Sequence, residues 1–195
     1  MEKTSRTVLI GSARANVQTA CRSLLMQAGY GVLPALRDEG ELLRAVQNQR
    51  PDLVLLDYRI EGRNGLQLSE LIEGIPVVVM MPPAQMGVIS GHSAGQQNRH
   101  FVGLDFSRRA ILQTIAFALD TDERIRALEE QIQQLYRQID DKRDATIAKS
   151  LLMNQLHLPE QDAHRLLQKN SMEKSVSVRD LVQDILKREG AESET

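Results

Sequence analysis

Five polar side chains near the C-terminal end of the chain have the types and spacing to grip a polyanion. Gln161, Arg165, Gln168 and Lys169 recur at steps that place them on one face of a helix. Lys149 precedes them on an earlier helical stretch and is expected close by in the folded protein. Such a face offers cations to phosphates, and amide or guanidinium groups to base edges. The other group with chemical potential is Asp57, which closes the aliphatic run Leu53-Val54-Leu55-Leu56. A strand-end carboxylate can accept a phosphoryl group, but the transfer needs a divalent cation and a cationic partner to neutralise charge on the phosphoryl oxygens. There is no Asp or Glu between Glu2 and Asp38, and no Lys between Lys3 and Lys142. By these residues alone Asp57 is read as a polar group at the end of a strand.

Other chemistry finds little support. His92, His100, His157 and His164 lack metal-ligand spacing with one another and with Cys21, the only cysteine. Gly87, Gly91 and Gly95 recur every four residues, but no phosphate loop of Walker or dinucleotide type is present. No metal, cofactor or enzyme activity is expected. A single cysteine excludes an intrachain disulfide, and its helical setting makes Cys21 a small packed residue. No apolar run approaches the length of a membrane span and no signal segment opens the chain, so the expectation is a cytoplasmic protein with no membrane partner.

The elements that must position these groups fall into two halves. Over the first hundred or so residues, short aliphatic runs alternate with helical patterns. Strands are expected at Thr7–Ile10, Val32-Leu33, Leu53–Asp57, Val77–Met81 and Phe101–Leu104. Helices are expected around Val17–Ala28, Leu42–Val46 and Leu66–Ile72, while the Gly-, Ser- and Gln-rich stretch 84–100 is a doubtful helix. Near-continuous aliphatic strands separated by helices imply a parallel sheet covered on both faces, an α/β doubly wound, flavodoxin-like domain over 1–107.

A long helix then begins near Ser107. Ile125, Leu128, Ile132, Leu135 and Ile139 form a heptad seam with Ile at a and Leu at d, a choice that favours a parallel two-stranded coil. Residues 108–145 are accordingly read as a dimerisation helix, with Arg124 and Glu129 placed to pair between partners; the alternative is a helix packed on its own domain. A small three-helix unit over 146–190 follows. Pro159 fits the first turn of its second helix. Ser177 and Asp180 fit a cap before the third, whose apolar residues are Leu181, Val182, Ile185 and Leu186. Residues 191–195 form an acidic tail. The net charge of the 195 residues is −2, so any attraction to nucleic acid must be local. Over 142–188 there are nine Lys/Arg against six Asp/Glu, a mild basic bias.

Two resemblances join these halves. The segment Pro51–Asp57 followed by Gly62-Arg63-Asn64-Gly65-Leu66 resembles the phosphoacceptor segment of a response-regulator receiver domain. The resemblance implies an acid pair after strand one, a Thr or Ser ending strand four and a Lys ending strand five. Here Gly11 and Ser12, Met81, and Leu104 stand in those places, so the resemblance implies that Asp57 is a vestigial phosphoacceptor. The ordered string Ile147-Ala148-Lys149-Ser150-Leu151-Leu152-Met153, Ala163-His164-Arg165-Leu166-Leu167, Ser171-Met172 and Asp180-Leu181-Val182 resembles the ANTAR domain of transcription antitermination regulators of the AmiR/NasT type. It covers about 143–188, with Ser150 in a position usually Gly, Ser171 in one usually Ala, and Leu158-Pro159 in place of the usual Ser/Thr cap. Leu151, Leu152, Leu166, Leu167, Met172 and Leu181 are expected in the core of that unit.

The resemblance implies a bacterial homodimer that binds a hairpin in nascent leader mRNA and prevents terminator formation, acting on RNA polymerase only indirectly. With the phosphorelay residues gone, it implies control by a ligand-sensing regulatory protein. No aromatic follows Tyr136, so a stacking platform for bases is missing and recognition must rest on charge, hydrogen bonds and hairpin shape. The alternatives are a DNA-binding response regulator and a coiled-coil adaptor that binds no nucleic acid.

Overall fold

The computed structural model describes residues 6–88, 98–103 and 107–174. Two compact units divide the chain, Met1–Arg126 and Ala127–Thr195.

The first unit is built on five strands: β1 (Thr7–Gly11), β2 (Gly31–Val32), β3 (Leu53–Asp57), β4 (Val77–Met81) and β5 (Arg99–Gly103). They pair in parallel in the order β2-β1-β3-β4-β5. Between them run α1 (Ala15–Gln27), α2 (Glu39–Gln49) and α3 (Gly65–Ser69), and a 3₁₀ turn spans Pro83–Val88 after β4. Side chains alternate across the pleat, so each strand feeds two cores. Val8, Ile10, Leu53, Leu55, Val78 and Met80 bury one face against Cys21 and Leu25 of α1. Leu9, Val54, Leu56, Val77, Val79 and Met81 bury the other against Leu42 and Val46 of α2 and Leu68 of α3. Each such side chain contributes about 1.5–3 kcal/mol by leaving water, and β3 and β4 are buried along their whole length. This is the doubly wound, flavodoxin-like fold expected from the aliphatic strands.

The strand limits differ at the edges. β5 starts at Arg99, ahead of the apolar run Phe101-Val102, because its ladder with β4 pairs Val77 with Arg99 and Val78 with His100. A strand with one side unpaired in the sheet tolerates polar residues that periodicity does not flag. Leu104 lies outside the described residues.

The fourth helix, α4, runs from Arg108 to Leu156 without interruption. Its first part belongs to the sheet unit: Ile115, Ala118 and Leu119 are buried in the same core as Val8 and Met80. The stretch read as coil from 108 thus contributes its first turns to the receiver, and only the remainder lies in the second unit. There the pattern reverses. Leu128, Ile132, Leu135 and Ile139 are between 49% and 60% exposed, while Ile125, just inside the first unit, is half-buried.

Within the second unit α4 ends at Leu156, and the next residue, His157, has a left-handed φ of 52°, a backbone state that commonly terminates helices. Pro159 then opens α5 (Glu160–Lys174), its carbonyl accepting from the amides of Asp162 and Ala163. Ala148, Ala163 and Leu167 are the buried residues of this unit among those described. Leu151, Leu152 and Leu166 are half-buried. Met172 corrects the expectation of a core role, being 82% exposed. At about 100° per residue it lies roughly half a revolution from Ala163, on the polar side of α5. The third helix expected around Leu181 and the acidic tail lie outside the described residues.

Gly65 opens α3 beneath the end of β3. Its amide donates to Tyr58 O at 2.8 Å, and an added Cβ would stand 2.3 Å from the carbonyl oxygen of Asp57. Backbone cannot yield as a flexible side chain can, so Gly65→Ala is expected to destabilise the sheet unit by about 2 kcal/mol in urea unfolding, within the range for overpacked sites. An unchanged midpoint would show that the α3 turn moves freely.

Candidate acceptor site and nucleic-acid interface

The loops after β1 and β3 meet where the strand order reverses, the usual place for a site in an open α/β sheet. Asp57 ends β3 there and is fully buried. It does not stand alone. Arg14 lies just ahead of α1, with an extended backbone (φ −99°, ψ 111°) and no side-chain cap bond to its helix. Its guanidinium folds onto the carboxylate, with Nε donating to Asp57 Oδ2 at 2.9 Å and Nη2 to Oδ1 at 2.8 Å. The Ser12 hydroxyl donates to Oδ2 at 2.6 Å, and the Arg59 amide donates to Oδ1 at 3.2 Å. A carboxylate offers about four lone-pair sites, and these four donors take them all.

The surrounding bonds hold this arrangement from both sides. Ser12 Oγ also accepts from the Arg14 amide at 3.1 Å, and Gln18 Nε2 donates to the Ser12 carbonyl at 2.6 Å. The Ala13 amide donates to Arg59 O at 2.8 Å, tying the loop after β1 to the loop after β3. Asn64 caps α3 by accepting from the Gln67 amide at 2.9 Å. At the end of β4, Met81 is fully buried and presents no hydroxyl.

Asp57 is thus paired, and Arg14 is the partner that sequence reading missed. Attention to lysine hid it. One signal was available, since a cation beside a helix N-terminus is disfavoured by the helix dipole and needs a reason to be there.

Cys21 packs under the site with Sγ 3.7 Å from Met80 Sδ. Burial pushes its thiol up to about 11, with Asp57 adding to the rise and Arg14 opposing it. It is an inert core residue. His100 sits on β5 with its ring edge-on to Phe117 at 5.5 Å, and burial lowers its pKa. Among the described residues no group of three His, Cys, Asp or Glu is placed to hold a metal.

In the second unit, α5 carries two faces. Ala163 and Leu167 are buried, and Gln161, Arg165, Gln168 and Lys169 are exposed on the opposite side. Arg165 Nη1 lies 3.9 Å from Asp162 Oδ1, and Lys169 Nζ lies 3.6 Å from Glu173 Oε1. These are long intrahelical pairs of the kind worth little at a surface. Lys149 is different. Its ammonium donates to Glu160 Oε1 at 2.7 Å, joining the end of α4 to the first turn of α5. That hydrogen bond, then the charge of Lys149, holds the Glu160 carboxyl below the usual range. The structure thus brings four of the five predicted side chains to one open face and engages the fifth in an ion pair.

Comparison with known families matches both halves. A model of the response regulator receiver domain covers residues 8–102, and a model of the ANTAR domain covers residues 133–186. The chain is an ANTAR-type regulator with a receiver domain. The ANTAR match starts about a heptad and a half before the resemblance read from 143, so Leu135 and Ile139 of the seam fall within it. The transcriptional regulatory protein PdtaR of Mycobacterium tuberculosis, in strains H37Rv and CDC 1551, is 23% identical over 194 residues, covering 97% of this chain and 94% of its own. Among solved structures, a CheY-like receiver domain protein of Methanospirillum hungatei JF-1 is 21% identical with a TM-score of 0.53, covering 62% of this chain and 98% of that one. The signal receiver domain of an HD domain-containing protein from Pseudomonas fluorescens Pf-5 is 13% identical with a TM-score of 0.57, covering 65% of this chain and 96% of that one. These likenesses carry the receiver fold. Among the described residues no helix is long and apolar enough to cross a membrane.

The receiver's buried pair gives a direct stability test. Losing one partner strands a buried charge and costs about 3–5 kcal/mol. Arg14 retains some solvent contact, so Arg14→Met is expected near about 3 kcal/mol. Combining it with Asp57→Leu should cost clearly less than the sum of the two single changes in urea unfolding. Additive losses would contradict a pairwise tie.

Proposed function

We propose that this transcription regulator acts on RNA as an antitermination factor: a homodimer binds a hairpin in nascent leader mRNA and keeps the competing terminator from forming. The observation that carries this reading is the open face of α5 within the ANTAR segment. Gln161, Arg165, Gln168 and Lys169 are exposed there, opposite the buried Ala163 and Leu167. Two cations and two amides on one face supply phosphate contacts and hydrogen bonds to base edges without requiring an aromatic platform. Lys149 joins them when a phosphate displaces Glu160 from its ammonium. RNA polymerase is affected only indirectly, through the folding of its transcript.

The dimer is proposed to form through the seam of α4. Four large apolar residues in heptad register are exposed in the single chain, and a parallel partner would bury all of them. Two ANTAR segments would then be presented to one transcript. Control is assigned to a ligand-sensing regulatory protein that sequesters the dimer in the cytoplasm, and neither enzymatic activity nor acyl phosphate enters the cycle. The engaged state of Asp57 supports that part of the reading.

Two measurements test it. Placing Asp at both Ile132 and Leu135 should give a monomer by light scattering, because charge at adjacent a and d positions cannot be buried unpaired. A protein that stays dimeric sinks the seam. Changing Arg165 and Lys169 together to Ala should weaken binding to a leader hairpin and flatten its salt dependence, by about 0.7 in the logarithmic slope for each lost single-strand phosphate contact. Helix content by circular dichroism should hold, since neither residue lies on the buried face. Unchanged affinity with intact helices would remove this face from the RNA interface, and equal affinity for duplex DNA would favour a DNA regulator instead.

A further inference from the structure

The receiver fold implies a divalent cation beside the carboxylate that ends the third strand. The residues of this chain do not fit one. A hard divalent cation needs carboxylate lone pairs and tolerates water or carbonyl oxygens around them. Both oxygens of Asp57 are already filled by Arg14 Nε and Nη2, the Ser12 hydroxyl and the Arg59 amide. No second carboxylate follows β1, where Gly11 and Ser12 stand. Among the described residues the other acids on this edge are engaged. Asp38 caps α2 through the amides of Gly40 and Glu41, Glu39 pairs with Arg63 at 2.6 Å, and Glu61 pairs with Arg37 at 3.4 Å.

We propose that Arg14 is the resident cation of the acceptor site, and that it closes the site to divalent metal. A guanidinium is always protonated and forks onto a carboxylate through two parallel bonds. It supplies in one covalently attached group the positive charge that the fold otherwise takes from solution, and change of pH or metal concentration does not eject it. Its position also fixes geometry. Arg14 reaches from the loop after β1 to the end of β3, alongside the bond from the Ala13 amide to Arg59 O. The loops after β1 and β3 are here held together by the chain itself. This inference rests on the receiver alone and stands or falls independently of RNA binding.

The test is a Mn²⁺ titration of the full chain, read by electron paramagnetic resonance of the free ion. The wild-type chain and Asp57→Asn should give the same isotherm, with no Asp57-dependent site. Arg14→Asp removes the resident cation and restores an acid after β1. It should gain one saturable Mn²⁺ site, on the order of tenfold tighter than any wild-type binding, and lose it when Asp57→Asn is added. In wild type the Arg59 amide should be protected from hydrogen exchange. In Arg14→Asp that protection should fall and return with Mn²⁺. A saturable wild-type site that disappears in Asp57→Asn would overturn the proposal. So would a folded Arg14→Asp chain that takes up no additional Mn²⁺. Arg14→Ser, which removes the cation without adding charge, is read in the same way should Arg14→Asp fail to fold.

Discussion

A buried carboxylate at the end of the central strand sets the terms for the receiver half of this protein. Asp57 is wholly removed from water, and an ionised carboxylate in that setting costs several kcal/mol unless charge and hydrogen bonds compensate it. Arg14 supplies the charge and two of the bonds, and Ser12 and the Arg59 amide supply the rest. The consequence reaches beyond the site. β3 lies between β1 and β4 in the sheet, and the loops after β1 and β3 are joined through the same residues. A charge without a partner there would loosen the centre of the domain rather than its rim.

The helix α4 shows how one continuous element serves two environments. Up to Arg126 its apolar residues Ile115, Ala118 and Leu119 are buried against the sheet, and beyond it Leu128, Ile132, Leu135 and Ile139 are exposed. The same spacing of apolar side chains is thus satisfied within the chain in the first unit and left open in the second. Under the dimer reading a second copy covers the open part, whose later residues Leu135 and Ile139 already lie within the ANTAR match. The division of labour is then consistent: a receiver whose acceptor is already occupied, a seam for pairing, and a polar helix face that the buried residues Ala163 and Leu167 turn outward.

Much of this was legible in the residues. Aliphatic runs separated by helical patterns carried the parallel sheet, because strands buried on both faces leave few alternatives. The seam and the polar face of α5 followed from helical periodicity, which is a local property. What escaped was non-local or at an edge. Arg14 meets Asp57 across 43 residues of sequence, and no periodicity announces such a contact. Arg99 and His100 extend β5 because β4 offers them a ladder, although neither is a strong strand former. Met172 matched a family position and was assigned to the core, yet its rotation on α5 turns it outward with Gln161 and Arg165. The ion pair of Lys149 with Glu160 also depends on the turn at His157, which nothing in the local sequence specifies.

The acceptor carboxylate is thus already satisfied from within the chain. The most direct measurement is the intact mass of the full-length protein after incubation with a small-molecule phosphodonor and Mg²⁺. An acceptor so held predicts an unchanged mass, with Asp57 unmodified in its peptide. A stoichiometric phosphoryl adduct on Asp57 would contradict it, because that oxygen would have been free to attack while Arg14 was supposed to hold it.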